Sequence, residues 1–328
     1  MLESPPFLFA VCQAGAEWAL KEEVAARWPG LHFAFSRPGF VTFKSTDPAA
    51  GEAQSLLEGS VFARTHGWSL GKPDFGDVTP IIDQVWRLVG DRPVDHVHVF
   101  ARDSQLPGHH DFEPGPTAEC QEIGLRIAAG FPSGEAPPVN QLARPQQAIL
   151  DCVLIEPQHW MIGWHQTQST PQRWPGGVPP LVASDDRISR AYLKISEALL
   201  WSRLPVRPGD AFIEIGCAPG GSCQALLERG FTVAGVDPAK VDPRLLAHPQ
   251  FTHIQKRGAD LKRRDYESFR WLTADMNVAP ETTLETVAGV VTHPRVKIRG
   301  LLLTLKMLEK AHYRRIGEYM ALVRSWGY

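Results

Sequence analysis

The chain has 328 residues, a length that predicts two or three domains of roughly 100–200 residues each. Hydrophobic residues make up 43% and charged residues 21%, which argues against global disorder. No apolar run reaches the roughly 18 residues that a membrane-spanning helix needs, and the N-terminus lacks the basic region of a secretory signal. The five cysteines are too scattered for a disulfide framework or a zinc site. We therefore predict a cytoplasmic protein with reduced thiols, no membrane contact and no metal.

Charge is divided unevenly along the chain. Residues 184–328 carry 22 Lys and Arg against 16 Asp and Glu, whereas residues 1–183 carry 12 against 20. The basic C-terminal part favours a polyanionic partner. An uneven surface composition without any such partner is the alternative.

A segment rich in proline and glycine, Pro171 to Pro180, lies where the charge changes sign. Proline and glycine interrupt both helices and strands, so we predict a linker over residues 171–183. Before it, short strands and helices alternate, which is typical of small α+β units. The predicted strands there are 7–12, 39–43, 61–70, 94–101, 148–156 and 160–164, and the predicted helices are 16–28, 81–89 and 118–129.

After the linker, apolar strands are separated by helices. This pattern predicts an α/β domain with a doubly wound parallel sheet. The first helix is predicted over 185–201, with Ser184 or Asp185 as its N-cap, and a second helix over 219–229. The predicted strands are 211–215, 232–236, 251–255, 271–274 and 301–305.

A glycine-rich turn, in the sequence FIEIGCAPGG, joins the first of these strands to the next helix. Glycines let a ligand approach the backbone, and a helix N-terminus offers free N–H groups. The spacing differs from the G-x-G-x-x-G of dinucleotide-binding folds, which disfavours NAD. Asp237 ends the next strand, where a carboxylate accepts hydrogen bonds from ribose hydroxyls; the alternative is a tight turn that Asp237 caps. The cofactor-binding candidates in the turn are Gly216, Cys217, Ala218, Pro219, Gly220 and Gly221.

The motif GCAPGG, with Asp237 after it, resembles the FtsJ-type S-adenosylmethionine-dependent methyltransferases, which methylate RNA 2′-hydroxyls. The resemblance implies a Rossmann-like methyltransferase domain over residues 184–328, with S-adenosylmethionine as the cofactor and RNA as the partner. It also implies that Asp260 contacts the adenine side of the cofactor and that Asp275 borders the cofactor.

That family uses a Lys-Asp-Lys-Glu tetrad, and its first three members match Lys194, Asp275 and Lys306. The carboxyl ends of parallel strands share one edge of a sheet, so we expect Asp275 and Lys306 to meet there. Lys306 is the candidate base. Burial and the second cation, Lys194, would lower the pKa of Lys306, whereas the charge of Asp275 opposes that shift. For each lysine alone, the alternative is a surface position or an ion pair.

The resemblance places the tetrad's Glu on a strand after a helix over 309–326, together with the last strands of the sheet. The given sequence ends at Tyr328, so we expect either a truncated chain or a catalytically inactive relative that binds cofactor and RNA. Truncation is favoured because a buried parallel sheet without its edge would expose apolar surface.

Within the family, the segments SRAYLKISEA and YRR resemble bacterial enzymes that methylate a cytidine 2′-hydroxyl of large-subunit rRNA. Those enzymes carry a ferredoxin-like unit and an RNA-binding THUMP domain. The resemblance therefore implies a ferredoxin-like unit over residues 1–60, a THUMP-like domain over 61–170, and rRNA as the substrate. A small-molecule or protein methyltransferase is a further alternative, for which the Lys-Asp-Lys set has no evident use.

Two arginines precede Lys194 on the predicted helix. Arg187, Arg190 and Lys194 are spaced i, i+3 and i+7, which places them on one helix face. We predict that Arg187 and Arg190 hold RNA phosphates. The alternative is an ordinary solvated face.

Overall fold

The computed structural model describes residues 7–46, 57–181 and 186–328. The chain divides into two units, Met1–Pro180 and Leu181–Tyr328, and the division falls within the predicted linker. The predicted N-cap, Ser184 or Asp185, lies outside the described residues. Within the described ranges, no helix is long and apolar enough to cross a membrane.

The N-terminal unit combines a mixed sheet with α-helices. Its elements are β1 (Phe7–Val11), α1 (Glu17–Arg27), β2 (Leu31–Arg37), β3 (Phe40–Ser45), β4 (Thr65–Gly71), α2 (Ile81–Val89), β5 (His96–Ala101), α3 (Ala118–Ala129), β6 (Ala148–Glu156) and β7 (His159–Gln166). The seven strands follow the order β2-β3-β1-β4-β7-β6-β5. Neighbouring strands are antiparallel except β5 and β6, which are parallel.

Both faces of this sheet are buried along strands β1 and β5. Strand β1 sends Leu8 and Ala10 to the face covered by α1 and sends Phe9 to the opposite face, as the two-residue period of a strand requires. In β5, Val97 and Val99 pack against α2 and α3 in the same manner. Helices α1, α2 and α3 therefore cover one face of the sheet, and the opposite face must be covered by another segment of the chain.

The predicted domain boundary between residues 60 and 61 falls inside this single sheet. Strand β1 pairs with β4, with Leu8 opposite Trp68. The described residues on the two sides of the predicted boundary, 7–46 and 57–170, therefore belong to one unit, because the sheet includes strands from both. The THUMP-like assignment stays a prediction.

Most of the predicted linker packs against the N-terminal unit. Two short 3₁₀ helices, Pro171–Arg173 and Pro175–Gly177, place Gln172 and Trp174 in buried positions. The ring of His165, in β7, donates a hydrogen bond to the carbonyl of Gln172 over 3.0 Å. Proline and glycine interrupt regular structure but do not prevent packing, so the composition of this segment could not reveal that it covers the second face of the sheet.

The C-terminal unit is built on parallel strands with helices on both faces. Its elements are α4 (Ala191–Ser202), β8 (Ala211–Ile215), α5 (Gly221–Leu227), β9 (Thr232–Val236), α6 (Pro243–Leu246), β10 (Phe251–Ile254), α7 (Arg263–Tyr266), β11 (Trp271–Ala274), α8 (Pro280–Val291), β12 (Gly300–Leu303), α9 (Lys310–Arg314) and α10 (Ile316–Ser325). The strand order is β10-β9-β8-β11-β12, and all pairs are parallel.

The doubly wound fold predicted for this unit is confirmed. Phe212 of β8 packs with α4 and α5 on one face of the sheet, and its neighbour Ile213 packs with α8 on the other. From β8 the chain builds the sheet outward in one direction through β9 and β10, and then in the other direction through β11 and β12. Ligands bind in such sheets where the direction changes, beyond the carboxyl ends of the strands.

Two predicted helices have different limits in the structure. Helix α4 begins at Ala191 instead of residue 185, because the backbone before it is held by side-chain contacts: the N–H of Ile188 donates to the Gln224 side chain over 2.8 Å. Arg187 and Arg190 therefore precede the helix and do not share a helical face with Lys194. The helix predicted over 309–326 is divided into α9 and α10 at Arg315.

Candidate active site

The glycine-rich turn folds tightly between β8 and α5. Gly216 has a φ of 80°, and a Cβ at this position would lie 2.7 Å from the Met276 side chain. A Cβ at Gly221 would lie 2.8 Å from the carbonyl oxygen of Ser189. Glycine is therefore required at both positions, and at Gly221 the reason is the close approach of the segment before α4.

Asp237 holds the turn against the end of β9. Its two carboxylate oxygens accept hydrogen bonds from the backbone N–H of Ala218, over 3.1 Å, and of Ala239, over 2.8 Å. Asp260 ends a short 3₁₀ helix, Gly258–Asp260, after β10, and its side chain is exposed. The turn, Asp237 and Asp260 thus follow three neighbouring strands at one edge of the sheet.

Two lysines meet on one carboxylate at the same edge. Asp275 directly follows β11, and its Oδ2 lies 2.9 Å from the Nζ of Lys194, in α4. Its Oδ1 accepts a hydrogen bond from the Nζ of Lys306, which lies three residues after β12. The structure therefore brings together the three residues that the sequence selects, whereas their catalytic roles stay a prediction.

The protonation of this cluster follows from its surroundings. Burial lowers the pKa of Lys306, and the ammonium of Lys194 lowers it further, although the hydrogen bond and charge of Asp275 oppose the shift. Burial alone would raise the pKa of Asp275, but the two lysines outweigh burial and hold this pKa below its ordinary value. A larger fraction of Lys306 is therefore neutral near pH 7 than of an exposed lysine, and it lies beside a carboxylate that stays charged.

A cleft of about 170 Å³ lies beside the two lysines' shared carboxylate. Lys194 and Asp275 line it together with Glu214, whose side chain is buried near the carboxyl end of β8. Sequence reasoning missed Glu214, because it took β8 as an apolar strand. The available signal was a single carboxylate at an inward position of a strand that is otherwise apolar.

The two arginines predicted to contact RNA precede α4 in the structure. Arg187 and Arg190 are half-buried in the segment before α4, so the single basic face predicted with Lys194 is wrong, and their contact with RNA stays a prediction. In the described ranges, no group of three or more His, Cys, Asp or Glu side chains could hold a metal ion.

Residues 187–311 match the FtsJ-like methyltransferase family. The matched range contains the glycine-rich turn, Asp237, Asp260 and the Lys194–Asp275–Lys306 cluster. The C-terminal unit thus contains an FtsJ-like methyltransferase domain.

Several curated proteins named ribosomal RNA large subunit methyltransferase M are similar to part of the chain. The protein from Alkalilimnicola ehrlichii is 31% identical over 158 residues, 46% of this chain and 42% of the relative. The protein from Methylococcus capsulatus is 33% identical over 119 residues, 35% of this chain and 33% of the relative. The match therefore spans less than half the length of these relatives.

Among solved structures, TrmN from Thermus thermophilus is 16% identical and covers 94% of this chain and 91% of its own. Its TM-score is 0.35, which is too low to establish a common fold.

Proposed function

We propose that the protein transfers a methyl group from S-adenosylmethionine to a ribose 2′-hydroxyl of RNA, and that its substrate is a cytidine of large-subunit rRNA. The observation that carries this proposal is the cluster of Lys194 and Lys306 on the carboxylate of Asp275, at the same sheet edge as the glycine-rich turn. The named relatives supply the substrate class.

The residues at the sheet edge fit this cofactor. The Asp237 carboxylate, which follows β9, can accept ribose hydroxyls in addition to its two backbone donors. Asp260, which is exposed after β10, is available for the adenine side. The turn from Gly216 to Gly221 offers closely approachable backbone beside the start of α5. When bound there, S-adenosylmethionine supplies an electrophilic methyl group.

The lysine cluster supplies the proton acceptor. Neutral Lys306 takes the proton of the attacking 2′-hydroxyl at its Nζ and becomes an ammonium, which the Asp275 carboxylate stabilises. Lys194 keeps the pKa of Lys306 low before the reaction. Asp275 also fixes the two lysines relative to each other, because each of its oxygens accepts a hydrogen bond from the Nζ of one lysine.

RNA binding is divided in this proposal between the two units. Arg187 and Arg190 contact phosphates beside the reacting ribose, and the N-terminal unit acts as the THUMP-like RNA-binding part. Phosphate contacts make the affinity fall as salt concentration rises, because bound counterions are released. The proposal also assigns the protein to the cytoplasm, together with its rRNA substrate.

The test is single-turnover methylation of large-subunit rRNA with methyl-labelled cofactor. The wild-type protein should transfer the label, whereas Lys306→Ala should abolish transfer and leave cofactor affinity nearly unchanged. Lys306→Arg should be nearly as inactive, because arginine stays protonated. Cofactor and RNA binding without transfer would support the inactive-relative alternative instead, and a wild-type rate for Lys306→Arg would exclude the general-base role.

A further inference from the structure

The amino ends of the parallel strands in the C-terminal unit form an edge of the sheet that the proposed mechanism does not use. This amino edge lies opposite the edge that carries the glycine-rich turn and the lysine cluster. Exposed cations precede three of its strands: Arg207 before β8, Arg270 before β11, and Arg295, Lys297 and Arg299 before β12. Strand β8 has five residues and spans about 17 Å, so these cations are remote from the lysine cluster.

Two of the arginines lie side by side at the starts of neighbouring strands. The backbone N–H of Arg299 donates a hydrogen bond to the carbonyl of Arg270 over 2.7 Å. The next residues, Gly300 and Trp271, are paired in the parallel register of β12 and β11. Such strands lie about 4.8 Å apart, so the two side chains start from neighbouring points of an ordered backbone.

The segment that leads into β12 alternates between exposed cations and apolar residues that pack inward. In the sequence RVKIR, residues 295–299, the three cations are exposed, whereas Ile298 is 7% exposed and packs into the core. The carbonyl of Ile298 also accepts a hydrogen bond from the hydroxyl of Tyr328 over 3.0 Å. The backbone that presents the cations is therefore held in place by the domain itself.

Among the described residues of the C-terminal unit, these five cations are not paired with carboxylates. The salt bridges there are formed by other lysines, arginines and histidines. Asp210, next to β8, uses its Oδ2 to accept hydrogen bonds from the Trp271 indole over 2.8 Å and from the N–H of Arg207 over 3.0 Å. Like charges at neighbouring positions repel each other, and a bound polyanion relieves this repulsion.

We propose that the amino edge, through Arg207, Arg270, Arg295, Lys297 and Arg299, binds phosphates of the RNA substrate at a point remote from the reacting ribose. Several exposed cations on an ordered backbone suit a phosphate chain, because lysine and arginine bind phosphates whatever the base sequence. This inference rests on the proposed function, which makes RNA the substrate. A long, folded rRNA can reach both edges of the domain, whereas a short oligonucleotide at the lysine cluster contacts one.

The first arm of the test measures how the affinity of the intact protein for a long fragment of large-subunit rRNA depends on salt. Each lost phosphate contact reduces the slope of log affinity against log salt by about 0.7–0.9. Arg270→Gln/Arg299→Gln should therefore reduce the slope by about 1.5 and weaken binding about tenfold at physiological salt. Arg270→Lys/Arg299→Lys keeps both charges and, as the matched control, should retain the wild-type slope.

Calorimetry with S-adenosylmethionine checks that both double variants remain folded, because each should bind the cofactor as the wild type does. An unchanged salt slope in Arg270→Gln/Arg299→Gln would overturn the inference and would favour an acidic protein as the partner of this surface. A reduced slope in the lysine control would also overturn it, since charge would then not be the property that binds RNA.

The second arm measures methyl transfer. With the long fragment, Arg270→Gln/Arg299→Gln should raise KM about tenfold and keep the wild-type rate at saturating RNA, because a remote contact contributes equally before and during the reaction. With the shortest oligonucleotide that the wild type methylates, KM should be unchanged. An equal rise in KM for both RNAs would overturn the remote position. Failure of the proposed function is distinguishable, because the wild type would then methylate neither RNA, whatever the salt slopes.

Discussion

Asp275→Asn is the change that most directly perturbs the lysine cluster. Each oxygen of Asp275 accepts a hydrogen bond from one lysine, with Lys194 at 2.9 Å, so the substitution removes the only charge that raises the pKa of Lys306 in this cluster. An opposite charge at such a distance typically shifts a pKa by about 1–3 units. We therefore expect the acidic limb of the pH–rate profile to move down by about 1–3 units in the variant.

The maximal rate should fall at the same time. The amide offers one acceptor in place of two charged oxygens, so one lysine loses its partner and the base is no longer held in position. Loss of positioned acid–base catalysis typically costs about 10²–10⁴-fold, or roughly 3–5 kcal/mol in the barrier. The assay is single-turnover methylation of rRNA from pH 6 to 10.

Asp265→Asn provides the matched control. Asp265 binds Lys256 over the same 2.9 Å, in the same unit but outside the cleft. This variant should keep both the wild-type limb and the wild-type rate. An unchanged acidic limb in Asp275→Asn would show that Asp275 does not control the proton of Lys306.

Three further predictions concern the cofactor turn and the N-terminal unit. Asp237→Ala should weaken S-adenosylmethionine binding by about 1.5–3 kcal/mol, and unchanged affinity in calorimetry would exclude Asp237 from the site. Gly221→Ala places a Cβ 2.8 Å from the Ser189 carbonyl and should destabilise the fold by about 1–3 kcal/mol in urea unfolding; wild-type stability would contradict the close approach. Burial lowers the pKa of His66 and His98 to about 3. Each therefore contributes stability that is full above about pH 6.5 and is lost as pH falls, by about 2 kcal/mol at pH 5. His98→Gln should remove half of the pH dependence of the unfolding free energy that the two histidines cause together. An unchanged slope of unfolding free energy against pH would contradict this prediction.

The C-terminal strands could be predicted because they are apolar and buried on both faces. Trp271–Ala274 and Ala211–Ile215 occur in the structure with the limits expected from their sequence. Strand β2, Leu31–Arg37, was not predicted, because only Leu31 in it is buried and no alternation marks its faces. Periodicity reveals an element only where one side of it is consistently covered.

The candidate site was partly predictable for a related reason. Parallel strands bring their carboxyl ends together, so the sequence alone predicts that Asp275 and Lys306 meet. The position of Lys194 depended on a family resemblance, since a helix before the sheet can pack in several ways. Glu214 and the packed segment 171–177 were missed because their roles depend on what covers them, which the pattern of a single sequence does not record.

Methylation of a ribose hydroxyl is tested by locating the transferred methyl group within the nucleotide. A 2′-O-methyl group blocks attack of that oxygen on the adjacent phosphodiester, so alkali leaves the modified nucleotide in a resistant dinucleotide. Large-subunit rRNA labelled by the wild-type protein should yield its label in one such dinucleotide that contains cytidine. Label released by alkali in mononucleotides would place the methyl group on a base and would contradict methylation of a ribose hydroxyl.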